Sequence, residues 1–532
     1  MMNNNNNNAS KKIQIFDSTL RDGVQGEGIN FSVSDKINIV KALDELGVGY
    51  IEAGNPGSNP KDLEFFEEVK GLELKHAKIV AFGSTRRRNI LARNDSNCRS
   101  LLSAGTDAVA IFGKSWDLHV EKILGATLEE NLNMIRDTVS FFKDMGKEVV
   151  FDAEHFFDGY KNNPDYALMS LRAACEGGAD CLALCETNGG AFPDEVYEIV
   201  KAAAKEVDVP LGIHCHNDSG CAAANSIMAV KAGCSQVQGT YLGYGERCGN
   251  ANLSTIIPGL QLKLGYDCIP EENMTKLTQT ARLIAEIAND PLYKGMPYVG
   301  RSAFSHKAGM HIDGVNKLSK SFEHIPPDSV GNERRFLMSE VAGRSTVLKK
   351  INKIAPELTK DSEQTQAICD AVKRLEYDGY SFEAADASFE LLVREILGTR
   401  KEYFKLDYFK AITDEPAIQK YAASALIKVS VGDKTEITAA EGDGPVHALD
   451  TALRKALAVF YPQLKNMQLI DYKVRVLEDR KATASKVRVL IDSSDGLRSW
   501  STVGVSTDVI EASWKALVEA AEYKLLISER SE

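Results

Sequence analysis

A chain of 532 residues is too long for a single hydrophobic core and is expected to form about two to four domains. Its apolar share of 44% and charged share of 26% are those of an ordinary water-soluble protein. A formal net charge of −12 argues against a general nucleic-acid or anionic-membrane binder, and no apolar run approaches the roughly 20 residues of a membrane helix.

The chain opens with an asparagine tract, Met1–Ser10, which has neither the basic nor the apolar region of a secretory signal and reads as a disordered tail. Strand-like and helical runs then alternate. A strand at Ile13–Phe16 precedes a helix pattern over Val33–Leu46, ended by Gly47. The pairs that follow are Tyr50–Ala53 with Leu63–Val69, Ile79–Phe82 with Ser96–Ala104, and Ala108–Phe112 with Leu128–Met145. After them come Glu148–Ala153 with Asp165–Gly177, Cys181–Leu184 with Pro193–Glu206, and Leu211–His214 with Gly220–Ala232. Gln236–Gly239 closes the series ahead of a helical stretch, Leu253–Leu264. Eight strands, each followed by a helix, predict an α/β fold built on a (β/α)8 TIM barrel over residues 11–275. A doubly wound open sheet is the alternative, but it uses fewer strands and carries a G-x-G-x-x-G turn that is absent after the first strand.

From about Glu271 to Asp386 the strand signal fades, which predicts a helical linker region over 276–395, with a basic stretch at Arg334, Arg335, Arg344, Lys349 and Lys350. Near Phe389 a new alternation begins. Strands at Ala425–Val431, Met467–Val476, Ser485–Ile491 and Ser499–Val505, with helices at Pro445–Phe460 and Val509–Ile527, predict a C-terminal α+β domain over 396–532. The ten cysteines show no CxxC pair with zinc-site spacing, and Cys175, Cys181, Cys185 and Cys369 sit in apolar runs. Reduced thiols in a cytoplasmic protein are the expectation.

Barrel enzymes place their chemistry at the C-terminal ends of the strands. Asp17, Arg21 and Asp22 follow the first predicted strand, Glu154 the fifth and Thr187 the sixth; His214 and His216 end the seventh, and Glu246 and Asn250 follow the eighth. His214-Cys215-His216 is the sharpest local feature. Alternate side chains of an extended segment share a face, so the two imidazoles point one way and Cys215 the other. Two polar residues with private hydrogen bonds would read the same way; the early carboxylate and the adjoining Asn217 and Asp218 weigh toward a divalent-metal site. Arg21-Asp22 alone reads by default as a solvated ion pair in a loop; the functional reading gives Asp22 to a metal and Arg21 to a developing oxyanion.

Phe16–Gln25 reads F-D-S-T-L-R-D-G-V-Q, His214–Asp218 reads H-C-H-N-D and Gly245–Asn250 reads G-E-R-C-G-N. Together and in this order they resemble the signatures of the DRE-TIM metallolyases. Phe304–Gly314 resembles an H-x-x-G-x-H-x-D-G element of the acetyl-CoA-condensing synthases of that family, and the last domain resembles their regulatory domain. The likeness implies a divalent cation (Mg, Mn or Zn) held by Asp22, His214 and His216, with Asn250 completing or supporting the site. It implies catalytic roles for Arg21 and Glu154 alongside Asp22, and contact of Arg21 and Thr187 with a 2-oxo acid. His311 would assist proton abstraction from acetyl-CoA, oriented by Asp313. Phe322 stands where the family often has tyrosine, so the hydroxyl is missing here.

Residues 151–161 and 330–336 resemble the branch of the family whose acceptor is pyruvate and whose product leads to isoleucine; 2-oxoisovalerate, leading to leucine, is the other acceptor to weigh. The family further implies a homodimer, with the His311 segment reaching the partner's barrel, and feedback by isoleucine. A lyase or aldolase on the same barrel is disfavoured by the His311 region and the last domain. A non-catalytic relative is disfavoured by the intact Arg21, Asp22, His214 and His216.

Overall fold

In the computed structural model, residues 11–57, 60–336, 344–413, 422–477, 485–496 and 498–530 are described. The expected tail, Met1–Ser10, lies outside the described residues. Eight short strands close a parallel barrel: β1 (Gln14–Asp17), β2 (Tyr50–Glu52), β3 (Lys78–Ser84), β4 (Ala108–Lys114), β5 (Glu148–Glu154), β6 (Cys181–Glu186), β7 (Leu211–Cys215) and β8 (Gln236–Gly239). β8 returns to β1 with Gln14 opposite Gln236 and Asp17 opposite Gly239, so no strand edge is left open.

The two faces of each strand separate two apolar clusters. Ile15, Ile51, Ala81, Val109, Phe151, Leu182, Ile213 and Val237 pack in the large core that the surrounding helices share. Their neighbours of opposite parity, Phe16, Tyr50, Val80, Ala110, Val150 and Ala183, form a small cluster of their own inside the barrel. Near the C-terminal ends of the strands this inner face turns polar, and Glu52, Asp152, His214 and Gln238 are all buried there. The helix Val33–Leu46 shows how local sequence positions these strands. Ser32 and Asp35 form a reciprocal cap at its start, and Gly47 ends it at φ 99°. A Cβ at Gly47 would stand 2.3 Å from the Pro270 ring, so glycine is required both for the backbone and for the packing.

The described chain divides into two compact units. One holds the barrel up to Ser305, together with Glu323–Arg335; the other holds His306–Phe322 and the residues from Phe336 onward. The second unit contains helices at Gly309–Lys317, Arg344–Ile354, Glu363–Tyr377 and Asp386–Ile396. Two three-stranded antiparallel sheets follow. Lys405–Thr413, Ala423–Val431 and Lys434–Gly442 make the first, and Gln468–Val476, Val487–Ser494 and Ser499–Ser506 the second. Helices Pro445–Leu457 and Val509–Glu529 bury Leu449, Leu453, Leu517 and Ala521 in one core with Ile427, Val429, Val489 and Ile491. Barrel, helical region and α+β end thus match the expected fold class.

Three local expectations are corrected. Phe389 lies within a helix, Asp386–Ile396, so the strand alternation begins at Lys405. The strands Lys405–Thr413 and Lys434–Gly442 were not expected; both are outer strands of their sheet with mostly exposed side chains, and the few that pack inward, Leu406, Phe409, Ala411 and Ala440, are too sparse and, at the Leu406/Tyr408 bulge, too irregular to give an alternation. The helical stretch from Leu253 ends at Pro258 and continues only as one wide π-type turn, Gly259–Lys263. All ten cysteines are free thiols. No described helix is long and apolar enough to cross a membrane.

Candidate active site

The turn after β1 is built by Asp17. Its buried carboxylate accepts hydrogen bonds from the Thr19 amide (2.9 Å) and hydroxyl (3.0 Å), and the Thr19 hydroxyl accepts from the Tyr241 amide at 2.8 Å. Asp17 therefore shapes the turn and stays out of the site; burial pushes its carboxyl up to about 7. The turn carries Arg21 and Asp22 back over the mouth of the barrel. Arg21 donates from Nε to Glu52 Oε2 at 2.6 Å and from Nη1 to Asp22 Oδ2 at 2.8 Å, and its guanidinium lies 3.7 Å from the centre of the Phe82 ring. No described residue takes a hydrogen bond from Nη2. Burial would lower the Arg21 pKa, but Glu52 and Asp22 more than offset this, so the charge is permanent.

Across the mouth stand the two imidazoles. His214 Nε2 lies 3.5 Å from Asp22 Oδ2 and 3.4 Å from His216 Nε2, while Cys215 between them is buried on the other side of the strand. One ligand atom from each of Asp22, His214 and His216 falls within 4.8 Å of the others. Metal bonds of about 2.0–2.2 Å set ligand atoms of a shared ion about 3–3.5 Å apart, and these separations agree. Asp22 Oδ1 and Asn250 Oδ1 are buried without a hydrogen-bond partner among the described residues, an arrangement that is costly unless something binds there. The protonation states fit as well. Burial, against Asp22, pushes His214 down to about 4 and also lowers His216. Burial would raise Asp22, but Arg21 and then the two histidines hold it at about 2. Neutral imidazoles beside an ionised carboxylate are the forms that ligate a cation.

Asn250 is carried by a turn that depends on glycine. It donates from Nδ2 to the Tyr244 carbonyl at 3.1 Å, and Gly245, at φ 152°, leaves room for that amide: a Cβ there would lie 2.1 Å from Nδ2. Arg247 of the same turn donates to Asp218 at 2.8 and 2.9 Å and to the Thr187 carbonyl at 2.7 Å. The Thr187 hydroxyl, just past β6, accepts from the His155 amide at 2.9 Å. Glu154 ends β5 and pairs with Lys114 at the end of β4. The structure thus brings Arg21, Asp22, His214, His216 and Asn250 together and sets Glu154 and Thr187 on neighbouring strand ends. His311 and Asp313 lie in the second compact unit, where His311 stacks on Phe322 at 4.4 Å and Asp313 pairs with Lys317 at 2.7 Å.

Three buried polar residues of the mouth were missed from the sequence: Glu52, Asp152 and Gln238. Glu52 anchors Arg21; Gln238 Oε1 lies 3.1 Å from His214 Nδ1, and its Nε2 donates to Asp152 Oδ1 at 3.0 Å. Glu52 and Asp152 each adjoin apolar residues on a barrel strand, a contrast visible in the sequence; Gln238 lies in Gln-Val-Gln-Gly, which shows none.

Comparison with known proteins places this geometry. The HMGL-like family model matches residues 12–284, the homocitrate synthase post-HMGL domain-like model 298–379, and the LeuA allosteric (dimerisation) domain model 383–525. The chain belongs to the HMGL-like family. It is 53% identical to the (R)-citramalate synthase of Aquifex aeolicus over 98% of this chain and 99% of that one. It is 49% identical to the (R)-citramalate synthase of Geobacter sulfurreducens over the same shares, and 32% identical to the probable 2-isopropylmalate synthase of Methanopyrus kandleri over 95% of this chain and 97% of that one. Within its family the chain groups with the (R)-citramalate synthases.

Proposed function

We propose that this chain is an (R)-citramalate synthase, an acyltransferase that condenses acetyl-CoA with pyruvate and water to give citramalate and CoA. The observation that carries the reading is identity of 46–53% with five (R)-citramalate synthases over at least 96% of this chain. Synthesis of 2-isopropylmalate, the other expectation, finds support only at 32% identity.

A divalent cation held by Asp22, His214 and His216, with Asn250 beside it, would act as a Lewis acid on the keto group of the acceptor. Two imidazoles and one carboxylate favour Zn2+ or Mn2+ over Mg2+. Arg21, fixed by Glu52 and Phe82, directs Nη2 at the keto oxygen and stabilises the negative charge that grows there as the new C–C bond forms. Thr187 receives the acceptor's carboxylate. His311 takes part in removing the methyl proton of acetyl-CoA, with Glu154 as the further catalytic group at the mouth and Asp313 in an orienting role. The alkoxide takes up a proton, and water cleaves the thioester to release the CoA thiol.

The match to an allosteric, dimerisation domain over 383–525 supports a homodimer with an effector site, and we assign isoleucine as the effector and the cytoplasm as the location. The working division is a catalytic barrel over 11–275, a linker region over 276–395 and a regulatory domain over 396–532. Thiol release from acetyl-CoA across a panel of 2-oxo acids tests the function: pyruvate should outpace 2-oxoisovalerate, and no release with any acceptor would remove the synthase reading.

A further inference from the structure

The inside of the barrel carries two buried glutamines that the reaction leaves unused. Gln236 and Gln238 lie two residues apart on the inner face of β8 and are fully buried; Gln14 opens β1 beside them. Gln238 Oε1 faces His214 Nδ1 at 3.1 Å. Its Nε2 lies 3.0 Å from Asp152 Oδ1 and 3.3 Å from Gln236 Oε1. A carboxamide nitrogen carries two hydrogens, and here both find an acceptor. With Asp152 as a carboxylate, turning the amide over would set its oxygen against two other oxygens and leave two buried hydrogens toward the imidazole, so the oxygen is then committed to His214. The imidazole must then carry its proton on Nδ1, which leaves the Nε2 lone pair facing Asp22 and His216.

Gln236 has further partners toward the N-terminal end of the barrel. Its Nε2 lies 3.4 Å from Gln14 Oε1, Gln14 Nε2 lies 3.4 Å from the Tyr50 hydroxyl, and that hydroxyl donates to Glu148 Oε1 at 2.6 Å. Every donor points the same way, from His214 near the C-terminal end of the barrel to Glu148 at the N-terminal start of β5.

We propose that Gln238 is a positioning residue for His214: clamped by Asp152 and Gln236, it fixes the tautomer and ring orientation in which Nε2 is offered to a divalent cation. The proposal rests on the reading of Asp22, His214 and His216 as a metal site. Outer partners of ligating histidines commonly contribute about 10- to 100-fold in metal affinity.

The test uses the full-length chain stripped of metal, with Mn2+ affinity measured by competition with a chromophoric chelator and folding checked by thermal melting. Gln238→Met should weaken Mn2+ binding by about tenfold or more. Gln236→Met removes one of the two acceptors that orient Gln238 and should weaken binding by a smaller factor in the same direction; it decides the matter alone if Gln238→Met does not fold. A purely structural role would lower the melting temperature and leave the affinity of the folded variants at the wild-type value, and that result overturns the proposal. His214→Ala should abolish binding at this site. Failure of the wild-type chain itself to bind Mn2+ would remove the metal reading, and the proposal with it.

Discussion

Arg21 and Glu52 are joined through a 2.6 Å hydrogen bond from Nε to Oε2, and the Glu52 side chain is wholly buried. This pair, together with the Phe82 ring beneath the guanidinium, leaves Arg21 one orientation. Its proposed role as an oxyanion donor would depend on that orientation as much as on its charge.

Replacing Glu52 by glutamine keeps the shape and removes the anion. We expect kcat to fall about tenfold or more while KM for pyruvate changes less. Arg21→Ala should cost more, about 10²–10³ in kcat, the usual loss on removing an oxyanion donor. Steady-state kinetics on both variants check this; wild-type kcat in Glu52→Gln would show that Arg21 does not need its anchor.

Acid should remove the contribution of His214 to the stability of the metal-free protein before any carboxylate of ordinary pKa titrates. Burial holds His214 near 4, whereas in an unfolded chain an imidazole takes up its proton near 6.5. Between those values the unfolded chain binds more protons, so the stability due to this group is full above about 6.5 and is lost as the pH falls toward about 4. Asp22, held at about 2 chiefly by Arg21 against burial, adds a loss in the same direction only below its unfolded value of 3.8. Melting temperatures of metal-free wild type and His214→Gln between about pH 8 and pH 5 test the sign. The wild type should decline more steeply below about 6.5; parallel curves would contradict the assignment.

Gly245→Ala should damage the site through packing. The added Cβ would meet Asn250 Nδ2 at 2.1 Å, so the Asn250 side chain must leave its place against Tyr244 and beside Asp22. We expect a lower melting temperature and weaker Mn2+ binding together. Wild-type affinity in a stably folded variant would place Asn250 outside the metal site.

Isoleucine at millimolar concentration should slow thiol release, and leucine should do so less. The effect should disappear in a chain whose α+β region no longer binds isoleucine in equilibrium dialysis. An unchanged rate with bound isoleucine would remove the feedback assignment.

The barrel was readable because each strand couples an apolar outer parity to a short length and a following helix, and because the helices end at residues such as Gly47. His214 and His216 were readable because a strand brings alternate residues to one face without knowledge of the fold. Glu52 was not: it closes the three-residue strand Tyr50–Glu52, and only the parallel register that sets Tyr50 beside Phe16 brings it to Arg21. Gln238 was hidden for the same reason, since its partners His214 and Asp152 come from β7 and β5. The edge strands Lys405–Thr413 and Lys434–Gly442 escaped because most of their side chains are exposed and a bulge at Leu406/Tyr408 breaks the rhythm of those that pack inward. His311 was found through a resemblance, and its stacking partner Phe322, eleven residues on, follows from the fold of that segment.

The account turns on one cation between Asp22, His214 and His216 that pyruvate can reach. Anomalous scattering from crystals grown with Mn2+ and pyruvate addresses it directly. A peak within bonding distance of the Asp22 carboxylate and both Nε2 atoms, with the keto and carboxylate oxygens of pyruvate against it, is the predicted result. Pyruvate bound in the barrel mouth with no peak at those three side chains would contradict it.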